Sequence, residues 1–150
     1  MIRILWTQKQ DDGPSLRGYA AMAYDSRRGR TVLFGGNGSS GSLADTWEWD
    51  GGNWTQMADS GPPARFMAAM AYDVQRKQTV LFGGHDSFLK ETWGWDGINW
   101  TQLADSGPSP RANFAMAYDS KRQRIVVFGG LLPATGGVLV ADTWEWDGAA

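Results

Sequence analysis

The chain has 150 residues, a formal net charge of −2 and no cysteine. Without cysteine there are no disulfides, no thiol chemistry and no Cys-based zinc site; the near-neutral charge offers no broad basic field to nucleic acid or an anionic membrane; and the single histidine, His85, cannot build a multi-His metal site within one chain. Nine Trp and 20 Gly point to many short strands and turns rather than helices.

A 31-residue block occurs three times, at Trp6 to Gly36, Trp54 to Gly84 and Trp100 to Gly130, and the second and third copies agree at 19 of 31 positions. A fixed period of 46 to 48 residues means one supersecondary unit copied along the chain. Taken in order, residues 2–9 read as a strand ending in Trp6-Thr7-Gln8. The opening residues are too short for a signal peptide, and no apolar stretch approaches membrane-spanning length, so the cytoplasm is the default expectation. An Ala-rich strand follows in each repeat, at Tyr19 to Tyr24, Met67 to Tyr72 and Phe114 to Tyr118. Basic turns come next, at Asp25 to Gly29, Asp73 to Lys77 and Asp119 to Gln123. The second strand is continuously apolar (Thr31 to Phe34, Thr79 to Phe82, Ile125 to Phe128), which predicts burial on both faces. A Gly pair closes it.

The third strand alternates, with Trp47 and Trp49 on one face and Thr46, Glu48 and Asp50 on the other. Trp93/Trp95 and Trp144/Trp146 repeat the pattern. Asp-Gly then predicts a tight hairpin turn, and Trp54-Thr55-Gln56 or Trp100-Thr101-Gln102 makes the fourth strand. Gly-Pro breaks the chain before the next unit. Four antiparallel strands per repeat describe a propeller blade, with the Ala-rich strand nearest the axis, where only small side chains fit. The Trp-bearing strands lie further out, each buried aromatic contributing roughly 1.5–3 kcal/mol.

With Gly35-Gly36, Gly83-Gly84 and Gly129-Gly130, followed at a distance by Trp54 and Trp100, and with Arg17, Arg65 and Arg111 before the first strands, the repeat resembles the kelch family of β-propellers in its bacterial style. The resemblance covers essentially the whole chain and implies an all-β fold of three four-stranded blades, at about 17–58, 65–104 and 111–147. Closed rings usually hold four to eight blades. Three blades leave two apolar faces in water, the third blade lacks its fourth strand, and residues 2–9 form a fourth strand with no blade before it. The expectation is a homodimer: two chains make a six-bladed ring with strand exchange at the closure. Ile2, Ile4, Trp6 and Gln8 of one chain then meet Asp142, Trp144 and Trp146 of the other. The competing expectation is a fragment of a longer propeller.

Residues repeated in every blade serve structure more readily than ligand binding. Arg17, Arg65 and Arg111 read two ways: as a ring of cations at a channel mouth holding an anion, as some kelch propellers do, or as partners of a repeated acid such as Asp11, Asp59 or Asp105, or caps on loop carbonyls. Arg28, Arg76 and Arg122 read as solvated turn residues, and Asp45, Glu91 and Asp142 as acceptors for backbone N–H groups across blades. The positions that differ between repeats are better binding candidates: Tyr19, Phe66 and Asn113 beside the Arg residues, and His85 in the second of three loops. These loops are a Gly/Ser-rich, flexible Asn37–Ala44, His85–Lys90, and an apolar Leu131–Ala141 that either marks a contact surface or folds over its own blade.

No nucleophile with a paired base is visible by spacing. Copper radical oxidases of the kelch fold need several His and a Tyr–Cys crosslink, which this chain lacks, and fold alone does not transfer function. The reading is a non-enzymatic binding or scaffolding propeller without cofactor or metal, taking a protein segment or a small polar molecule at the loop face or channel mouth. The alternatives are a carbohydrate-active propeller, either lectin or sugar isomerase, and a structural half-propeller with no ligand of its own.

Overall fold

A computed structural model describes residues 5–9, 12–86 and 89–149. The chain is all-β, and every strand pairing is antiparallel. The first sheet is an up-and-down meander of β1 (Ala21–Asp25), β2 (Arg30–Phe34), β5 (Thr46–Trp49) and β6 (Trp54–Ala58). The second repeats it with β7 (Ala69–Asp73), β8 (Gln78–Phe82), β9 (Thr92–Trp95) and β10 (Trp100–Ala104). The third has three strands, β11 (Ala115–Asp119), β12 (Arg124–Leu132) and β13 (Val138–Trp146). A two-residue ladder, β3 (Asn37–Gly38) with β4 (Gly41–Ser42), lies inside the first long loop, which is therefore a small hairpin rather than a flexible stretch. Among the described residues no helix is long and apolar enough to cross a membrane.

The registers repeat as the blocks do. Ala21, Ala69 and Ala115 face Phe34, Phe82 and Phe128, and Leu33, Leu81 and Val127 face Trp47, Trp93 and Trp144. The first strands start one or two residues later than the Ala-rich pattern suggests. Tyr19, Met67 and Asn113 have φ of 58°, 56° and 53°, a left-handed turn that a strand cannot contain. The third long loop also differs from expectation. Its apolar residues continue β12 and β13 as a hairpin, closed by a 3-10 turn at Pro133–Thr135, and Val138 and Leu139 stand exposed instead of folding over the sheet.

The sheets pack face to face in chain order, β1 against β7 and β7 against β11. Strand alternation gives the middle sheet two buried faces. Met70, Leu81 and Trp95 join Ala21, Val32 and Phe34 of the first sheet, while Ala71, Val80 and Phe82 join Ile125 and Val127 of the third. Burial of the second strands on both faces is seen there, with Thr79 to Phe82 wholly inside. The outer sheets each keep one open face. Met22 and Tyr24 of β1 are 51% and 59% exposed where Met70 and Tyr72 are buried, and Phe128 is 52% exposed where Phe34 and Phe82 are buried.

Candidate functional site

The three repeated arginines hold the loop end of each sheet together. Arg17 and Arg111 each form a two-pronged ion pair, with Asp45 at 2.6 and 2.9 Å and with Asp142 at 2.7 and 2.9 Å. Their Nη1 groups also donate to the Gly35 and Gly129 carbonyls, and their Nε groups to the Ser15 and Ser109 carbonyls. Arg65 repeats the carbonyl contacts, to Gly83 and Pro63, but its ion pair with Glu91 is stretched to 3.9 Å. The carbonyl-capping expectation therefore has its geometry. The acid does not come from the expected set: Asp59 and Asp105 are exposed, and Asp11 lies outside the described residues. The sheet topology brings the acid before the third strand under the guanidinium instead. That also corrects the reading of Asp45 and Asp142 as backbone acceptors, since each takes an Arg and the indole N–H of Trp47 or Trp144.

The second repeat breaks the pattern. Arg65 Nη2, Glu91 Oε2 and Trp93 Nε1 are all buried without a hydrogen-bond partner. Burial pulls the Arg65 guanidinium down to about 10, and Glu91 is too distant to offset it fully.

At the opposite end of the sheets the turn arginines are not simply solvated. Asp25 caps the N–H groups of Arg27 and Arg28 and pairs with the Arg28 side chain, which forks onto Glu48 at 2.6 and 2.9 Å. Arg76 pairs with Asp73, and Arg122 with Asp119 and Glu145. Burial, with the Asp25 carboxylate facing it, pushes the Tyr72 phenol up to about 12, although the two make no well-formed hydrogen bond.

The variable positions gather at the loop end. Isolated bridges pair Gly18 with Asn37, Phe66 with His85 and Ala112 with Leu131, so each Arg segment is stitched to the residue after a Gly pair. The left-handed residues then link sheet to sheet: Met67 N–H donates to the Tyr19 carbonyl and Asn113 N–H to the Met67 carbonyl, both at 3.0 Å. Tyr19, Phe66 and His85 form a row, with ring centroids 6.2 Å and 5.1 Å apart. Tyr19 and His85 are exposed, Phe66 is half-buried, and Asn113 stands exposed at the position equivalent to Tyr19 in the third repeat. Non-glycine residues held at positive φ are costly, by about 1–3 kcal/mol each. Here they turn the backbone so that successive repeats present different side chains from one place. Among the described residues, no three His, Asp or Glu groups are placed to hold a metal.

Of the expected interface residues, Ile2 and Ile4 lie outside the described residues. Trp6 is fully exposed, and residues 5–9, Gln8 included, belong to none of the sheets. Asp142 is engaged with Arg111, Trp144 is exposed, and Trp146 donates its indole N–H to the Ala149 carbonyl.

Sequence reading missed the contacts that join the sheets. Trp95 Nε1 donates to Glu48 Oε1 and Trp100 Nε1 to Thr46 Oγ1, both at 2.8 Å. The available signal was that Thr46 and Glu48 lie on the strand face opposite the tryptophans, a face that the next repeat has to cover. Compared with family models and with curated proteins, the chain matches none.

Proposed function

We propose that the chain is half of a kelch-type β-propeller, that two copies close a six-bladed ring, and that the ring works as a non-enzymatic binding scaffold. The ring reading is supported by what the outer sheets lack. The first sheet offers Trp49 and Trp54, equivalent to Trp95 and Trp100, with no indole bond among the described residues. The third sheet offers Glu145 and Thr143, equivalent to Glu48 and Thr46, with Thr143 exposed where Thr46 is buried. One end of the stack carries the donors of the internal contact and the other end carries its acceptors. Such head-to-tail complements close into rings.

The binding reading rests on the Tyr19–Phe66–His85 row, whose members sit at positions that the repeat does not conserve and which therefore do not serve the common framework. Aromatic side chains with polar tips suit recognition of a peptide segment or a small polar ligand. Peptide and glycan arrays test this. Binding lost in Tyr19→Ala and Phe66→Ala, with unchanged circular dichroism, supports it. Saccharide binding at the same residues moves the assignment to a carbohydrate-active propeller, and equal binding by both variants sinks the site.

A further inference from the structure

A cavity of about 200 Å³ lies between the second and third sheets, with Phe82, Thr92, Gly107 and Trp146 in its wall. That is smaller than the roughly 300–1,000 Å³ of small-molecule sites and nearer the scale of one large side chain.

The same four positions one repeat earlier are Phe34, Thr46, Gly61 and Trp95, and all four close on Trp100. Its ring lies 5.2 Å from Phe34 and 5.4 Å from Trp95, centroid to centroid. Its Nε1 donates to Thr46 Oγ1, and a Cβ added to Gly61 would come within 2.6 Å of its Cδ1. Gly13 meets Trp54 of the first sheet at the same 2.6 Å. A Cβ on Gly107, by contrast, would meet nothing within 4 Å. The third sheet has no fourth strand among the described residues, so the cavity has the walls of a tryptophan site and no tryptophan.

The chain carries one tryptophan of the right context that is not packed. Trp6-Thr7-Gln8 repeats Trp54-Thr55-Gln56 and Trp100-Thr101-Gln102, and Trp6 is 104% exposed. Gly13, a few residues on, is packed against Trp54 of the first sheet, whereas the cavity opens between the second and third. We propose that Trp6 of a second copy of this chain fills the cavity. Its indole N–H donates to Thr92 Oγ1, and its ring packs on Phe82 and Trp146 over Gly107. Residues 6–8 then run antiparallel to β13, with Thr7 opposite Glu145, as Thr55 stands opposite Glu48 in the first sheet. This inference rests on the two-copy ring proposed above and names the contact that would lock it.

Because the chain has no cysteine, single cysteines report this contact cleanly. A Thr7→Cys chain is mixed with a Glu145→Cys chain and oxidised, and the wild-type mass is measured by light scattering. The expected result is a two-chain mass, plus a covalent dimer that forms in the mixture and not in either chain alone. Trp6→Ala in the Thr7→Cys chain should cut that product at least tenfold. Thr92→Val, which keeps the side-chain shape and removes the acceptor, should weaken the dimer about tenfold. A two-chain mass without crosslinking, or a dimer indifferent to both Trp6→Ala and Thr92→Val, overturns the Trp6 contact and leaves the ring standing. A one-chain mass overturns both.

Discussion

Glu48 accepts the indole N–H of Trp95 at 2.8 Å across the contact between the first and second sheets, and both side chains are buried. The same carboxylate takes the fork of Arg28, so one acid satisfies a turn in its own sheet and a ring in the next. The second sheet has Gly94 in this register position, and Trp146 of the third sheet turns to its own Ala149 carbonyl instead. The two internal contacts are therefore unequal: the first is bonded through an acid, whereas in the second Arg76 donates to the Asp147 carbonyl and lies over the Trp146 ring.

Removing Glu48 strands two donors at once. Glu48→Ala is expected to destabilise the fold by about 3 kcal/mol, the scale of breaking a buried charge pair. Asp59→Ala, which removes an exposed acid outside the sheet contacts, should cost far less. Urea unfolding of the two variants checks this, and equal midpoints would contradict it.

The second repeat can be repaired. Glu91→Asp shortens the acid to the length that gives two-pronged pairing at Asp45 and Asp142, and it offers Trp93 the acceptor that Trp47 and Trp144 have. Three buried orphan atoms would gain partners. The expected gain is about 1–2 kcal/mol, read as a higher thermal midpoint. An unchanged or lower midpoint would mean that the 3.9 Å separation is set by the backbone rather than by side-chain length.

Gly83 and Gly136 are both left-handed, with φ of 66° and 76°, but their surroundings differ. A Cβ on Gly83 would stand 2.6 Å from the Arg111 carbonyl and 2.7 Å from the Phe114 ring, both in the following repeat, while one on Gly136, at the tip of the β12–β13 hairpin, meets nothing within 4 Å. Both alanine variants carry the left-handed penalty of roughly 1–2 kcal/mol. Gly83→Ala adds a backbone collision that forces the third sheet to shift. It should destabilise clearly more than Gly136→Ala by chemical denaturation, and the reverse order would refute this account.

Acid should loosen the arginine forks. Burial alone would raise Asp25 and Asp45, but the Arg28 bonds at the first, and Arg17 with the Trp47 indole at the second, outweigh it and hold both carboxyls below their usual range. Arg111 and the Trp144 indole hold Asp142 well below it too. A carboxyl lowered in the folded state stabilises fully above its unfolded value, about 3.9. That contribution is lost as pH falls through the folded value. The urea midpoint should therefore drop progressively below about pH 4, and Asp45→Asn should flatten the drop. A midpoint that holds steady down to pH 2.5 would remove the forks from the stability of this fold.

Much of the fold was legible because it is written in short-range chemistry. The alternation at Thr46–Trp49 placed the tryptophans on one face and Glu48 on the other, and the apolar run at Thr79 to Phe82 announced a strand covered on both sides. Where a left-handed residue intrudes, as at Tyr19, composition misled and the strand starts late. The apolar stretch after Gly130 read as a loop because its length differs between repeats, although its side chains pair as a hairpin.

Side-chain period and turn residues a few positions apart were enough to mark out the repeat, the antiparallel strands and their faces. Which acid each arginine takes, which tryptophan meets which threonine, and which faces are left open emerge from the stacking of the sheets. Those pairings join groups such as Trp100 and Thr46, 54 residues apart, and their distances are set by the face-to-face packing of whole sheets. Neither group carries a local mark of its partner, so the partner appears only when the sheets are stacked.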